Sequence, residues 1–218
     1  MTNTVLTKTY PPMPYNRKEI RRYAGVSEEL PEIESVMEEC IEEVSEKLTY
    51  KVCYAEFDIS RKNGITDLGF LQTASEDLAK NLDGCRKIVV FAATVGLELD
   101  RLIAKYGRIS PVKALMFQAL GAERIEALCD TFTADILSDR EIKPRFSAGY
   151  GDFPLECQPA LTSCLEAGKR VGITLTDSFL MVPSKSVTAV IGVSTVPRTC
   201  TVKGCEACGK LDCSYRRG

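Results

Sequence analysis

The 218-residue sequence predicts an α+β domain in which helices pack on a mostly antiparallel sheet. Strand-like and helical segments are interspersed, without the strict strand–helix–strand order that a parallel sheet requires. The best strand, "RKIVVFAATV" at 86–95, is a continuous apolar run, which is typical of burial on both faces. Ser110 and Pro111 open the longest helix, which extends to about Leu137 and is apolar on more than one side. We therefore expect this helix to be central.

The N-terminal region is predicted to hold an extended segment and two helices. Residues 1–15 contain three prolines, which block a helix, and Asn16 can cap a short basic helix that stops at Gly25. Pro31 suits the first position of a longer helix. Its apolar residues fall on one face at three- and four-residue spacing, namely Ile33, Val36, Met37, Cys40, Ile41, Val44 and Leu48. The opposite face is mostly glutamate, as expected of a surface helix.

The middle of the chain is predicted to alternate between strands and helices. The segment "YKVCYAEFDI" at 50–59 is rich in β-branched and aromatic residues, and the "KNG" turn at 62–64 indicates a hairpin. Ser75 can cap a short helix, and "GLELDRLIAKYG" at 96–107 predicts another helix, closed by its final glycine.

The C-terminal third is predicted to contain a helix, two strands and a separate tail. The helix covers roughly 155–170, and the strand-like runs at 173–182 and 186–194 are joined by a turn. We place the domain at 1–196 and a cysteine-rich tail at 197–218, with the boundary near a proline.

Composition and charge exclude several classes of function. A net charge of −2 gives no electrostatic reason to bind nucleic acid or an anionic membrane. The longest apolar stretch, "IVVFAATVG", is too short to cross a bilayer, and no secretion signal is evident, so we expect a cytoplasmic protein. The absence of histidine excludes histidine-based nucleophile pairs and imidazole metal ligands.

The stretch "RFSAGYGDFPLE", Arg145–Glu156, is predicted to be a loop because of its glycines and proline. It could be a simple connection, or an anion-binding loop, although the sequence matches neither a phosphate-binding loop nor a dinucleotide fingerprint. It could also hold a zwitterionic nucleoside such as S-adenosylmethionine. In that case Arg145 would bind a carboxylate through two hydrogen bonds, beside the bare backbone of 147–149 and a stacking Tyr150.

Three ordered segments carry a resemblance to a known family. "RFSAGY" is similar to the RxxxGY signature of the S-adenosylmethionine-binding activation domain of cobalamin-dependent methionine synthase. "LTDSFLMVPSKSV" at 175–187 and "TVGLELDRL" at 94–102 also resemble segments of that domain, in the same order and at similar spacing. The similarity covers roughly 88–192. After Gly192 the sequence departs from the family pattern and has no counterpart of the tyrosine that contacts the ligand in the family.

The resemblance implies a bent antiparallel sheet packed with helices and a role in reactivating oxidised cobalamin. The domain would dock on a cobalamin-binding methionine synthase or another corrinoid protein and supply S-adenosylmethionine. A flavodoxin or ferredoxin would supply one electron for reductive methylation. Because the chain has no room for cobalamin or substrate modules, we expect a stand-alone subunit that is not catalytic alone.

The resemblance also implies roles for the residues of the loop. Arg145 would bind the ligand carboxylate, while Ser147 and Ala148 would offer backbone groups. Gly149 would permit close approach, and Tyr150 would line the pocket. Glu123 and Glu126 on the long helix could hold Arg145 in place, or they could belong to a solvated stripe of that helix. We expect Ser178, Pro183 and Ser186 to shape the sheet beneath the pocket.

The last nineteen residues crowd four cysteines together: Cys200, Cys205, Cys208 and Cys213. Thiolates this close favour zinc or an iron–sulfur cluster, although the spacing matches no standard motif, and reduced thiols or a redox switch remain alternatives. A second hypothesis is therefore a metal-binding adaptor or electron relay that docks on a corrinoid protein without binding a nucleotide. The other six cysteines are expected in the core.

Overall fold

The computed structural model describes residues 3–26 and 28–194, and the tail cysteines and the boundary predicted near residue 197 lie outside these ranges. The strands are β1 (Leu6–Tyr10), β2 (Tyr50–Asp58), β3 (Ser60–Lys62), β4 (Ile65–Asp67), β5 (Gln72–Thr73), β6 (Cys85–Thr94), β7 (Thr174–Leu175), β8 (Met181–Val182) and β9 (Ser186–Ser194). The helices are α1 (Arg17–Tyr23), α2 (Pro31–Val44), α3 (Glu76–Asn81), α4 (Glu98–Ile109), α5 (Pro111–Leu137), α6 (Gln158–Cys164) and α7 (Ala167–Val171). The mixture of helices and antiparallel strands confirms the predicted α+β class.

The centre of the fold is a four-stranded sheet in the order β1-β2-β6-β9. Each neighbouring pair is antiparallel, and Phe91 of β6 lies opposite Tyr54 on one side and Ala189 on the other. Two small sheets, β3-β4-β5 and β7-β8, extend from the loops between the long elements. The hairpin predicted at the "KNG" turn is the β3–β4 pair.

Helices cover both faces of the central sheet. On one face, Val89 and Phe91 of β6 pack with α2 and α5, and the Phe91 and Phe132 rings have centroids 4.9 Å apart. On the other face, Ile88 and Val90 pack with residues of α3, α6 and α7. The residues of β6 alternate between these two clusters because successive side chains of a strand point to opposite faces. The continuous apolar run therefore reflects burial on both faces, as predicted.

Three boundaries differ from the sequence prediction. Helix α4 continues past Gly107 to Ile109, since the break falls at Ser110, whose hydroxyl accepts the Lys113 N–H at 3.5 Å and caps α5. The helix predicted at 155–170 is split into α6 and α7 at Glu166, whose φ of 49° is left-handed. The strand predicted at 173–182 forms only the two-residue pairs of β7 and β8, with a turn between them.

The described part of the chain contains no helix that combines the length and apolarity needed to span a membrane. The basic helix α1 is tied to α2 by ion pairs. Arg21 donates to Glu34 at 2.7 Å, and Arg17 pairs with Glu38. These partly exposed pairs position α1 against α2. Each pair contributes little stability by itself.

Candidate functional site

The segment that leads into the predicted ligand loop lies along the outer edge of β9. The N–H groups of Lys143 and Phe146 donate to Gly192 and Val190 at 2.9 Å, and Val190 donates back to Phe146 at 2.8 Å. The sheet thus gains an irregular extra strand that ends at Phe146. Because these bonds place the backbone at residues 142–146, the start of the loop is set by the sheet.

The loop itself is a tight turn built on two glycines in left-handed conformations. The N–H of Gly149, at φ 91°, donates to the Phe153 carbonyl at 2.8 Å, and Tyr150 donates to the Ser147 carbonyl at 3.1 Å. Gly151 has a φ of 52°, and a Cβ there would collide with the Asp77 carboxylate at the start of α3. Any other residue at position 151 would therefore adopt a strained left-handed backbone and would push the Asp77 side chain aside.

Asp152 fastens this turn to the N-terminus of α3. Its carboxylate accepts the N–H of Glu76 at 2.7 Å and that of Asp77 at 3.1 Å, and it also accepts the hydroxyl of Ser75. The hydrogen bond from Ser75, together with the backbone donors, lowers the pKa of Asp152 below its usual value. Asp152 was not among the predicted site residues, although an aspartate that follows two loop glycines is a recognisable turn and capping signal.

Arg145 lies against α5 and is held by two carboxylates. Its Nη2 donates to Glu126 and its Nη1 to Asp130, each at 2.8 Å, and 24% of the side chain is exposed. Glu126 and Asp130 are four residues apart and so share one side of the helix. Burial alone would lower the pKa of Arg145, but the neighbouring Cys129, Glu126 and Asp130 outweigh it and raise the pKa.

Glu123, predicted as a partner of Arg145, pairs with Arg124 instead. The spacing along the helix would allow both acids to reach Arg145, but Glu123 meets the N-terminal segment, where its carboxylate accepts the Asn16 N–H at 3.1 Å. Arg124 is fully buried and donates to Glu123, to the Met13 carbonyl at 2.6 Å and to the Pro14 carbonyl at 2.7 Å. Its guanidinium also lies 4.0 Å from the centre of the Tyr15 ring. This pair anchors residues 13–16 to α5.

The remaining loop residues differ in exposure. Ser147 is half-buried, Ala148 is buried and Gly149 is exposed. Tyr150 is 58% exposed and its ring meets Phe146 edge-on, with centroids 6.2 Å apart. The loop therefore presents a phenol ring and bare backbone at the surface, two to five residues along the chain from Arg145.

The other two segments of the resemblance contact each other. The Asp100 carboxylate of α4 accepts the Ser184 N–H at 3.0 Å, and the Val95 N–H donates to the Lys185 carbonyl at 3.2 Å. The Ser186 hydroxyl donates to Thr94 at 2.9 Å at the start of β9. Ser186 thus lies in the sheet as predicted, whereas Ser178 lies in the exposed turn between β7 and β8.

Lys185 joins these segments to the helix that holds Arg145. Its side chain crosses α5 at Gly121, where a Cβ would lie 2.8 Å from three lysine carbons, and its ammonium donates to Gln118 at 2.6 Å. Desolvation lowers the pKa of Lys185, and the charge of Asp100 partly opposes this effect. Gln118 and Glu126 are two helical turns apart on one side of α5, about 12 Å along the axis. All three segments therefore meet α5 or β9.

Two surface depressions, each of about 530 Å³, lie elsewhere. One lies between the N-terminal segment and the end of α5, and its lining includes Asn3, Tyr54 and Asp135. The other follows α6 and includes Thr162 and Glu166. Neither includes Arg145 or the loop, so the candidate site is an open surface rather than one of these depressions.

The six cysteines within the described ranges are free thiols. Cys40, Cys53 and Cys129 are buried as predicted, whereas Cys85, Cys157 and Cys164 are only half-buried. Burial raises the pKa of Cys40 and of Cys53 to about 11, which keeps both thiols protonated and unreactive at neutral pH. Residues 3–26 and 28–194 contain no group of three or more acidic, cysteine or histidine side chains that could hold a metal.

Comparisons with known proteins identify the fold. No protein-family model matches the sequence, and no curated protein matches it. Among solved structures, the chain is similar to the crystal structure of the MetH reactivation domain bound to AdoHcy. The TM-score is 0.61 and the identity 18%, over 87% of this chain and 78% of that chain. The resemblance seen in the three sequence segments is thereby confirmed at the level of the fold, and the chain has the fold of the MetH reactivation domain.

Proposed function

We propose that this chain is an S-adenosylmethionine-binding activation component for a cobalamin-dependent methionine synthase or a related corrinoid methyltransferase. It would support reductive methylation of the cobalamin held by that partner, with an electron from a flavodoxin or ferredoxin. It would act in the cytoplasm, where such enzymes and donors occur together. The proposal rests on the shared fold and on the position of Arg145 at the head of an open, glycine-rich loop.

The single observation that carries the ligand assignment is the arrangement of Arg145 and the loop. A partly exposed guanidinium can bind a carboxylate, and the bare backbone around Gly149 allows a flat ring or a ribose to approach. Tyr150 exposes a ring on which an adenine could stack. These groups fit the carboxylate and the nucleoside of S-adenosylmethionine, and they form a site with Ser147 and Ala148.

The chain's own contribution would be binding and positioning. When bound, S-adenosylmethionine supplies the methyl group, and the cobalt of the partner supplies the reactive metal. No side chain of this protein needs to act as a nucleophile, which agrees with a sequence that contains no histidine. The protein would hold the carboxylate at Arg145 and present the ligand at an open surface, where a partner can reach it.

Exposed apolar side chains on the segments around Lys185 support docking of a partner. Leu97, Leu115, Leu180 and Val182 are between 41% and 62% exposed. They lie on the segments that meet at the turn through Lys185. We expect Leu180→Asp to weaken binding to a purified cobalamin-binding fragment. The same change at Leu30, which is 43% exposed and precedes α2, serves as the control and should have no effect.

Calorimetric titration with S-adenosylmethionine and S-adenosylhomocysteine tests the ligand assignment. The intact protein should bind, and Arg145→Ala should bind about tenfold more weakly or worse, since a charged hydrogen bond contributes roughly 1.5–3 kcal/mol. Arg140→Ala is the matched control, because Arg140 is a nearby exposed arginine paired with Glu56. No binding by the intact protein, or equal affinity of the Arg145 variant, would contradict the assignment.

We further propose that Cys200, Cys205, Cys208 and Cys213 hold zinc or an iron–sulfur cluster, because these four thiols lie close together in the sequence. Metal analysis with a visible spectrum tests this, using Cys205→Ser with Cys208→Ser as the depleted variant. Stoichiometric zinc in a colourless protein would indicate a structural tail. Visible absorption from thiolate-ligated iron would indicate an electron relay. Metal without any nucleoside binding would favour the adaptor hypothesis, and protein without metal would remove it.

A further inference from the structure

We infer that Glu126 and Asp130 act as an internal ligand of Arg145, competing with the carboxylate of a bound nucleoside and thereby setting its affinity. This inference rests on the proposed function, because it assumes that a carboxylate-bearing nucleoside binds at Arg145. It assigns these two side chains a role in selecting the ligand, beyond their role in the helix.

The geometry shows that both terminal nitrogens of Arg145 already donate to carboxylates. Nη1 donates to Asp130 and Nη2 to Glu126, each at 2.8 Å. The end-on, two-pronged mode in which an arginine usually holds a carboxylate is therefore occupied from within the chain. Three of the five N–H groups remain, so an incoming carboxylate must use these or displace one of the two acids.

The local charge also opposes a third carboxylate. One guanidinium and two carboxylates give the cluster a net charge of −1. Within the described ranges, Arg145 is the one cationic side chain within 4 Å of either acid. Adding a ligand carboxylate without moving an acid would raise the local charge to −2, which Coulomb repulsion disfavours.

The two internal pairs are exposed enough to open. The side chains of Arg145, Glu126 and Asp130 are 24%, 33% and 61% exposed, so water screens both pairs. Asp130, the most exposed, is the partner that a ligand would displace first. Glu126 is more sheltered and can continue to hold the guanidinium against α5. The acids thus reduce the affinity for a carboxylate without blocking the site.

Calorimetry with two related nucleosides tests this role. S-adenosylhomocysteine carries the α-carboxylate, and 5′-methylthioadenosine lacks it. We expect Asp130→Asn to bind S-adenosylhomocysteine about twofold to fivefold more tightly than the intact protein, the range of an exposed ion pair. Combining it with Glu126→Gln should increase the gain. The affinity for 5′-methylthioadenosine should not change. Asp135→Asn is the control, because it removes the same charge from α5 at a carboxylate that contacts Lys8 and Tyr10 instead.

The outcomes separate this inference from the proposed function. Unchanged or weaker S-adenosylhomocysteine binding by both acid variants would overturn the inference while leaving the proposed ligand intact. In that case the acids position Arg145 or bind the ligand's ammonium group. Gain of S-adenosylhomocysteine binding by an acid variant when the intact protein shows none would support the competing role of the acids, while contradicting the proposed ligand assignment for the intact protein. If neither nucleoside binds any of the proteins, the proposed function fails and this inference fails with it. Thermal unfolding of each variant verifies that the fold is retained.

Discussion

Two arginines on the same side of the sheet have opposite surroundings, although both pair with acids of α5. Arg124 is fully buried, is held by Glu123 and two backbone carbonyls, and lies over an aromatic ring. Among the residues that the structure describes, Glu126 and Asp130 hold Arg145, and a quarter of its side chain is exposed. The first cannot exchange partners without leaving a buried charge unpaired, whereas the second can. Burial therefore separates a structural ion pair from a candidate binding group.

The largest expected effect is at Arg124. Arg124→Met leaves the Glu123 carboxylate buried without its cation and frees the carbonyls of Met13 and Pro14. We expect a loss of about 3–5 kcal/mol in the free energy of unfolding, the cost of breaking a buried ion pair. Urea denaturation measures it. The double variant Arg124→Met with Glu123→Gln should recover part of the lost free energy of unfolding. A loss below about 1 kcal/mol for Arg124→Met by itself would mean that the two arginines contribute alike to stability.

A smaller effect is expected in the loop that follows Arg145. Gly151→Ala places a side chain at a left-handed φ of 52° and against Asp77. We expect a loss of roughly 1–2 kcal/mol from the backbone alone, with more from the collision. Gly64→Ala is the matched control, because Gly64 has a φ of 76° and open space around its Cβ position. Equal losses at the two positions in urea denaturation would show that the contact with α3 does not constrain the loop.

The attachment of the loop through Asp152 should depend on pH. The pKa of Asp152 is lower in the folded state than in the unfolded state, where it is about 3.9. Its carboxylate therefore stabilises the fold fully above the unfolded-state pKa, and this stabilisation is lost as the pH falls through the folded-state pKa. Asp152→Asn should therefore be less stable than the intact protein at neutral pH, and the difference should shrink in acid. A difference in unfolding free energy that is constant between neutral and acidic pH would mean that the carboxylate charge does not hold the loop.

The smallest effect on stability is expected at Arg145 itself. Arg145→Ala removes two partly exposed ion pairs, and we expect a change below about 1 kcal/mol in the unfolding free energy. A loss as large as that of Arg124→Met would mean that Arg145 is a structural residue, and that the two arginines do not differ in kind.

Much of the fold was predictable because local signals decide it. Asn16 and Ser75 cap the helices predicted to follow them, with side chains that accept the N–H of Glu19 at 3.2 Å and of Leu78 at 3.0 Å. The break at Glu166 was not predictable, since a left-handed glutamate carries no sequence signal and depends on the packing of α6 and α7. The loop at Arg145 was predictable from its glycines, but its attachment to α3 joins residues 75 positions apart.

By itself, the sequence determined the α+β class, the central place of α5 and the segments that carry the resemblance. These depend on hydrophobic periodicity and on turn residues, which act over a few positions. The tertiary structure decided which acid each arginine meets. Glu123 and Glu126 are three residues apart, yet one contacts Arg124 and the N-terminal segment and the other contacts Arg145. That choice depends on which parts of the chain cover each side of α5, and spacing along the helix does not contain that information.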